Sequence, residues 1–109
     1  MEIERLTEAE EIVMKAIWDC KKEPVQSEVT ARLREYYKRD WKPQTVSTFI
    51  ARLVRKNYLQ MQRNGKIYTY KILVKEDDYN KDQLKQLYIF LYRKNKEQMR
   101  QDLEELQEV

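Results

Sequence analysis

Near the start of the chain, Ala9, Ile12, Val13, Ala16, Ile17 and Cys20 recur at three- and four-residue steps. That spacing places them on one face of a helix. Thr7-Glu8-Ala9-Glu10 marks its start as a capping box, in which Thr7 accepts from the backbone three residues on and Glu10 reaches back. Lys21-Lys22-Glu23-Pro24 stops it, because proline disfavours helical geometry in the residue before it. A second helix begins at Gln26 or Ser27, buries Val29, Leu33 and Tyr36/Tyr37, and ends near Lys38-Arg39-Asp40. A third opens at Pro43, where a missing N–H leaves no bond unmade, and buries Val46, Phe49/Ile50, Leu53 and Val54. It stops around Asn57, a residue that tolerates the left-handed cap.

The period then changes from helical to two. Leu59-Gln60-Met61-Gln62 alternates, Asn64-Gly65 is a hairpin signal, and Ile67-Tyr68-Thr69-Tyr70-Lys71-Ile72 reads as the return strand. Glu76-Asp77-Asp78 is an acidic connector in which Asp77, Asp78 or Asn80 caps the next helix. Helical spacing resumes with Leu84, Leu87, Tyr88 and Leu91, widened by Ile89, Phe90 and Tyr92. It returns in Met99, Leu103 and Leu106 after the interruption Arg93-Lys94-Asn95-Lys96. Residues 80–108 therefore form one long helix or two shorter ones. The pattern predicts a mostly α chain with a small β-hairpin: a winged helix-turn-helix domain over 1–75 and a C-terminal helical dimerisation region over 76–109.

Composition narrows the chemistry. The chain has 109 residues, no histidine and a single cysteine. The commonest general base and metal ligand are absent, and zinc sites and Ser/His or Cys/His catalysis are closed. An enzyme is not expected, nor a cofactor or metal. Cys20 fits a core position, and the lack of an internal disulfide suits a cytoplasmic protein. No apolar run approaches a membrane span, and the first residues do not resemble a signal peptide.

Charge points to an anionic partner. Residues 32–75 hold 12 basic residues against Glu35 and Asp40, and no acidic residue lies between Lys42 and Lys75. Residues 76–109 are net acidic. A membrane surface is disfavoured, since no basic helix has a broad apolar face free for lipid. Double-stranded DNA suits the third helix better. Opposite its apolar stripe lie Gln44, Thr45, Ser47, Thr48 and Arg52. Short hydroxyl side chains permit close approach to the major groove, the threonine methyl meets the thymine methyl, and Gln or Arg bonds base edges. Lys42, Arg55 and Lys56 beside this helix, and Arg63 and Lys66 at the hairpin tip, are the expected phosphate contacts.

Trp41-Lys42-Pro43-Gln44-Thr45-Val46-Ser47-Thr48, Arg52-Leu53 and Lys56-Asn57-Tyr58-Leu59 together resemble the signature of the penicillinase repressor (BlaI/MecI/CopY) family. Leu6-Thr7-Glu8-Ala9-Glu10 with Val13-Met14-Lys15-Ala16-Ile17-Trp18 is similar to its first helix, and Asn64-Gly65-Lys66-Ile67-Tyr68-Thr69-Tyr70 to its wing. The resemblance covers roughly residues 5–75. It implies a bacterial cytoplasmic repressor that binds an inverted-repeat operator with TACA-like half-sites as a homodimer, answering to an inducer or sensor that the residues do not name. Three departures stand out. Asn57 replaces the usual glycine. Tyr92 leads almost directly into Asn95, without the further apolar helix in which the β-lactam branch is cut. The tail lacks the Cys-x-Cys of the copper branch.

The apolar positions Leu84, Leu87, Tyr88, Leu91, Met99, Leu103 and Leu106 exceed what one exposed helix hides against a small domain, so they are expected to pair two copies. The alternative is a winged-helix interaction module that docks through its aromatic C-terminal helix.

Overall fold

The computed structural model describes residues 2–20 and 22–107. Met1, Lys21 in the predicted helix stop, and Glu108 and Val109 at the end of the predicted C-terminal region lie outside the described residues. The chain divides into two compact units, Met1–Glu76 and Asp77–Val109.

In the first unit, helix α1 (Glu8–Asp19) starts with the capping box the sequence predicts. Thr7 Oγ1 accepts from Glu10 N at 3.3 Å, and Glu10 Oε1 accepts from Thr7 N at 2.9 Å. Helix α2 (Gln26–Tyr36) follows, its entry tied by Glu28 Oε1 accepting from Val25 N. Helix α3 (Pro43–Arg55) opens with proline in its first turn. Helix α1 packs on both α2 and α3, and α3 packs on the first strand of a hairpin. That hairpin pairs β1 (Leu59–Asn64) with β2 (Ile67–Ile72), antiparallel, from Leu59↔Ile72 to Asn64↔Ile67. Tyr70 N donates to Pro24 O, which ties β2 to the connector between α1 and α2. The result is a winged helix-turn-helix with C-terminal helices beyond it.

The core gathers Val13, Met14, Ala16 and Ile17 from α1, Val29 and Leu33 from α2, and Val46, Ile50 and Leu53 from α3. Tyr58, Leu59, Tyr70 and Val74 complete it. Each large aliphatic side chain so buried contributes about 1.5–3 kcal/mol. The buried face of α1 is rotated from the predicted one. Met14 is fully buried, while Ala9, Ile12 and Cys20 are half-buried, because the inner face centres on Val13, Met14 and Ile17. Tyr36 is not in the buried stripe of α2. It is 62% exposed, with the Arg32 guanidinium 3.6 Å from its ring centroid. Helix α2 also ends before Lys38, which takes a left-handed φ of 56° while Arg39 N closes back on Leu33 O. Asn57, at φ 64°, supplies the predicted left-handed stop of α3, with Tyr58 N donating to Leu53 O.

The hairpin turn is one residue later than expected. Asn64 is the last strand residue, and the two-residue loop is Gly65-Lys66. Only Gly65 has positive φ, at 70°. Glycine first with an ordinary φ second suits a type II′ turn, so the asparagine is freed to extend the strand.

In the second unit, helix α4 (Glu76–Gln86) begins one turn earlier than predicted. Asp77 and Asp78 therefore lie inside its first turn, where they face the positive end of the helix dipole, and do not cap it. A π-helical turn, Leu87–Leu91, follows. Arg93 and Lys94 then both adopt left-handed φ, 50° and 64°, and break the helix. Asn95 caps helix α5 (Lys96–Glu104) by accepting from Gln98 N at 3.0 Å. The C-terminal span is thus two helices. Arg100 bridges Glu97 and Glu104 along the exposed side of α5. Among the described residues, no helix is long and apolar enough to cross a membrane.

Candidate nucleic-acid interface

Burying Val46, Ile50 and Leu53 fixes the rotation of α3 about its own axis. Everything on the opposite side is thereby presented outward. Gln44, Thr45, Ser47, Thr48 and Arg52 are all exposed. The entry to α3 is held by α2: Gln26 Nε2 donates to Pro43 O at 2.7 Å. Thr48 Oγ1 donates to Gln44 O at 3.0 Å, back to the backbone of its own helix.

Lys42 stands exposed at the N-cap of α3, and Arg55 is exposed in its last turn. At the wing tip Lys66 is exposed. Arg63 Nε donates to Gly65 O at 2.9 Å, with its guanidinium 5.7 Å from the Tyr68 ring centroid. The wing arginine is thus braced by its own hairpin, a role for Tyr68 that composition alone does not reveal.

Lys56 does not belong with these cations. Its ammonium donates to Glu10 Oε1 at 2.6 Å and to Arg5 O at 2.9 Å, and its side chain is only 16% exposed. The predicted phosphate contact is a structural one: Glu10 occupies the charge that phosphate needs. Burial pushes the Glu10 carboxyl up, but the Lys56 ammonium and the Thr7 donors outweigh it and hold the group below its ordinary value. The sequence predicts only the capping-box role for Glu10. Its position on the inner side of the helix was the available signal for a second partner.

A second network lies between α1 and α2. Asp19 Oδ2 accepts from Tyr37 Oη at 2.5 Å and from Arg32 Nε at 3.3 Å. Burial, then the Asp19 bond, pushes the Tyr37 hydroxyl up to about 12. Cys20 is half-buried, with its thiol donating to Ala16 O, and burial raises it. Among the described residues, no cluster of three or more His, Cys, Asp or Glu side chains is gathered to hold a metal.

The predicted pairing residues occupy the second unit. Leu84, Leu87, Leu91, Leu103 and Leu106 are exposed, as are Ile89 and Phe90. Tyr88 and Met99 are half-buried, and Lys96 Nζ lies 5.7 Å from the Tyr88 ring centroid. Tyr92 Oη donates to Asp102 Oδ2 at 2.9 Å, a bond that spans the break between the π-helical turn and α5.

Comparison with known proteins agrees with this architecture. The methicillin resistance regulatory protein MecI of Mammaliicoccus sciuri is 34% identical over 73 residues, 67% of this chain and 57% of MecI. MecI of Staphylococcus aureus strain N315 is 33% identical over the same lengths. These matches span little more than half of the relatives. Two solution structures share 31% identity and cover 72% of this chain and 92% of theirs. The DNA-binding domain of the repressor BlaI superposes with a TM-score of 0.59. The monomeric form of Bacillus licheniformis BlaI, in complex with the blaP half-operator, gives 0.58. The sequence profile of the penicillinase repressor matches residues 6–108, nearly all of the chain that forms the helices and wing described above. The chain belongs to the penicillinase repressor family.

Proposed function

We propose that this chain is a sequence-specific DNA-binding transcriptional repressor that acts as a homodimer on an inverted-repeat operator. The observation that carries the reading is the outer face of α3, where Gln44, Thr45, Ser47, Thr48 and Arg52 stand exposed together in a segment, Lys42 to Lys75, that contains no acidic residue. An ordinary solvated helix needs no such mixture of short hydroxyls and base-bonding groups. The BlaI structure with half-operator DNA supports the same reading. Lys42, Arg55, Arg63 and Lys66 then contact phosphates and set the register of α3 in the major groove. The exposed leucines of the second unit support pairing of two copies, which presents two recognition helices to successive major grooves roughly 34–36 Å apart.

Selection of bound duplexes from a random pool tests the reading, and it should recover a two-fold symmetric sequence. On that duplex Thr48→Ala should weaken binding by ~1–3 kcal/mol, with little change on random DNA. A pool that shows no enrichment, or equal loss on both duplexes, would sink the proposal.

A further inference from the structure

Arg52 is exposed and makes no ion pair among the described residues. It lies over an aromatic ring: the guanidinium carbon is 5.6 Å from the centroid of Phe49. The two residues are three apart on α3, so they are neighbours on its surface. Phe49 is itself braced. Its ring lies 5.1 Å from that of Trp41, tilted by 45°. Trp41 sits in the connector just ahead of α3, whose first carbonyl is anchored by Gln26. A half-buried aromatic pair therefore supports an exposed cation on the outer face of α3.

A free arginine samples many rotamers, and fixing it on binding opposes association. Reading a base edge with two parallel hydrogen bonds requires a guanidinium held in a defined plane. A ring face beneath the guanidinium supplies both confinement and electrostatic attraction. Leucine and methionine are also apolar enough for the half-buried position at Phe49, but neither has a π face to offer.

We propose that Phe49, braced by Trp41, is a positioning residue that holds the Arg52 guanidinium ready for the DNA groove and so sharpens recognition at the base step Arg52 meets. The inference rests on the DNA-binding reading above. It extends the recognition surface inward, to two residues that touch no base themselves.

A double-mutant cycle on the full chain tests it, with the duplex that the parent recovers from a random pool as probe. Phe49→Leu should weaken binding to that duplex about 2- to 5-fold, the worth of an exposed cation–π contact. In an Arg52→Ala background the same change should have no effect, because nothing is left to position. Phe49→Tyr, which keeps the ring, should bind as the parent does. Phe49→Met serves as a second ringless variant should Phe49→Leu fold poorly. Equal losses in both backgrounds would assign Phe49 to helix packing alone and overturn the inference, as would parent-like binding by both ringless variants. A parent chain that selects no sequence would instead sink the DNA-binding reading, and this inference with it.

Discussion

In the first unit Met14, Ile17, Leu33, Ile50, Leu53 and Leu59 are each at most 2% exposed, whereas in the second Leu84, Phe90, Leu91, Leu103 and Leu106 are each more than half exposed. Both units follow the helical period of apolar residues. In residues 2–76 three helices and a hairpin converge, so each stripe finds another stripe of the same chain. In residues 77–107 two short helices separated by a left-handed break leave theirs facing solvent. Among the described residues, Tyr79 is the only buried apolar residue of the second unit. Periodicity thus tells which face of a helix is apolar but not which molecule covers it.

The division of labour can be broken most directly by removing residues 77–109. The remaining chain is expected to be a folded monomer whose affinity for the full operator falls ~10²–10⁴-fold, because linked half-sites no longer reinforce each other. Sedimentation and operator titration check this; a truncated chain that remains dimeric would end the comparison.

A second test strikes the closed unit. Glu10→Ala leaves the Lys56 ammonium largely buried with no carboxylate, and should lower stability by about 3 kcal/mol in urea unfolding. The pH dependence has a definite sign. The Glu10 carboxyl is held below its ordinary value of 4.5, so its contribution is present above about pH 4.5 and is lost as pH falls through the lower folded value. Glu10→Gln should flatten that acid limb. An unchanged limb would remove Glu10 from the acid response.

A third test strikes the open unit through Leu91→Ser. At ~1.5–3 kcal/mol per buried leucine, with one lost from each copy, the dimer dissociation constant should rise ~10²-fold or more. Unfolding of the first unit should not move. A parallel loss of stability there would mean that Leu91 serves the monomer.

Much of the closed unit was legible because its signals are local. Thr7 and Glu10 cap α1, Pro43 opens α3 and Asn57 closes it, each through chemistry within a few residues. The exposed face of α3 followed from the same stripe that buries Val46, Ile50 and Leu53. What escaped depends on distant partners or on competing local forms. Lys56 reads as a surface cation until Glu10, 46 residues earlier, is brought against it. Tyr36 matches the helical period but finds Arg32 on the outside. The break at Arg93 and Lys94 uses two left-handed residues of types that rarely adopt that form, so no glycine announced it.

The first helix is fastened at both ends by residues far along the chain. Tyr58 Oη donates to Glu4 O and Lys56 Nζ to Arg5 O ahead of α1. Near its other end Trp18 Nε1 donates to Val74 O, and Lys15 pairs with Glu76. In kinetic terms, α1 is made first and secured last. During synthesis its two ends wait, unfastened, until residues 56–76 have emerged. Loops of more than 40 residues must then close before those bonds repay their entropy. A chain interrupted within the wing keeps Lys56 and Tyr58 but leaves α1 without its fastening to Val74 and Glu76.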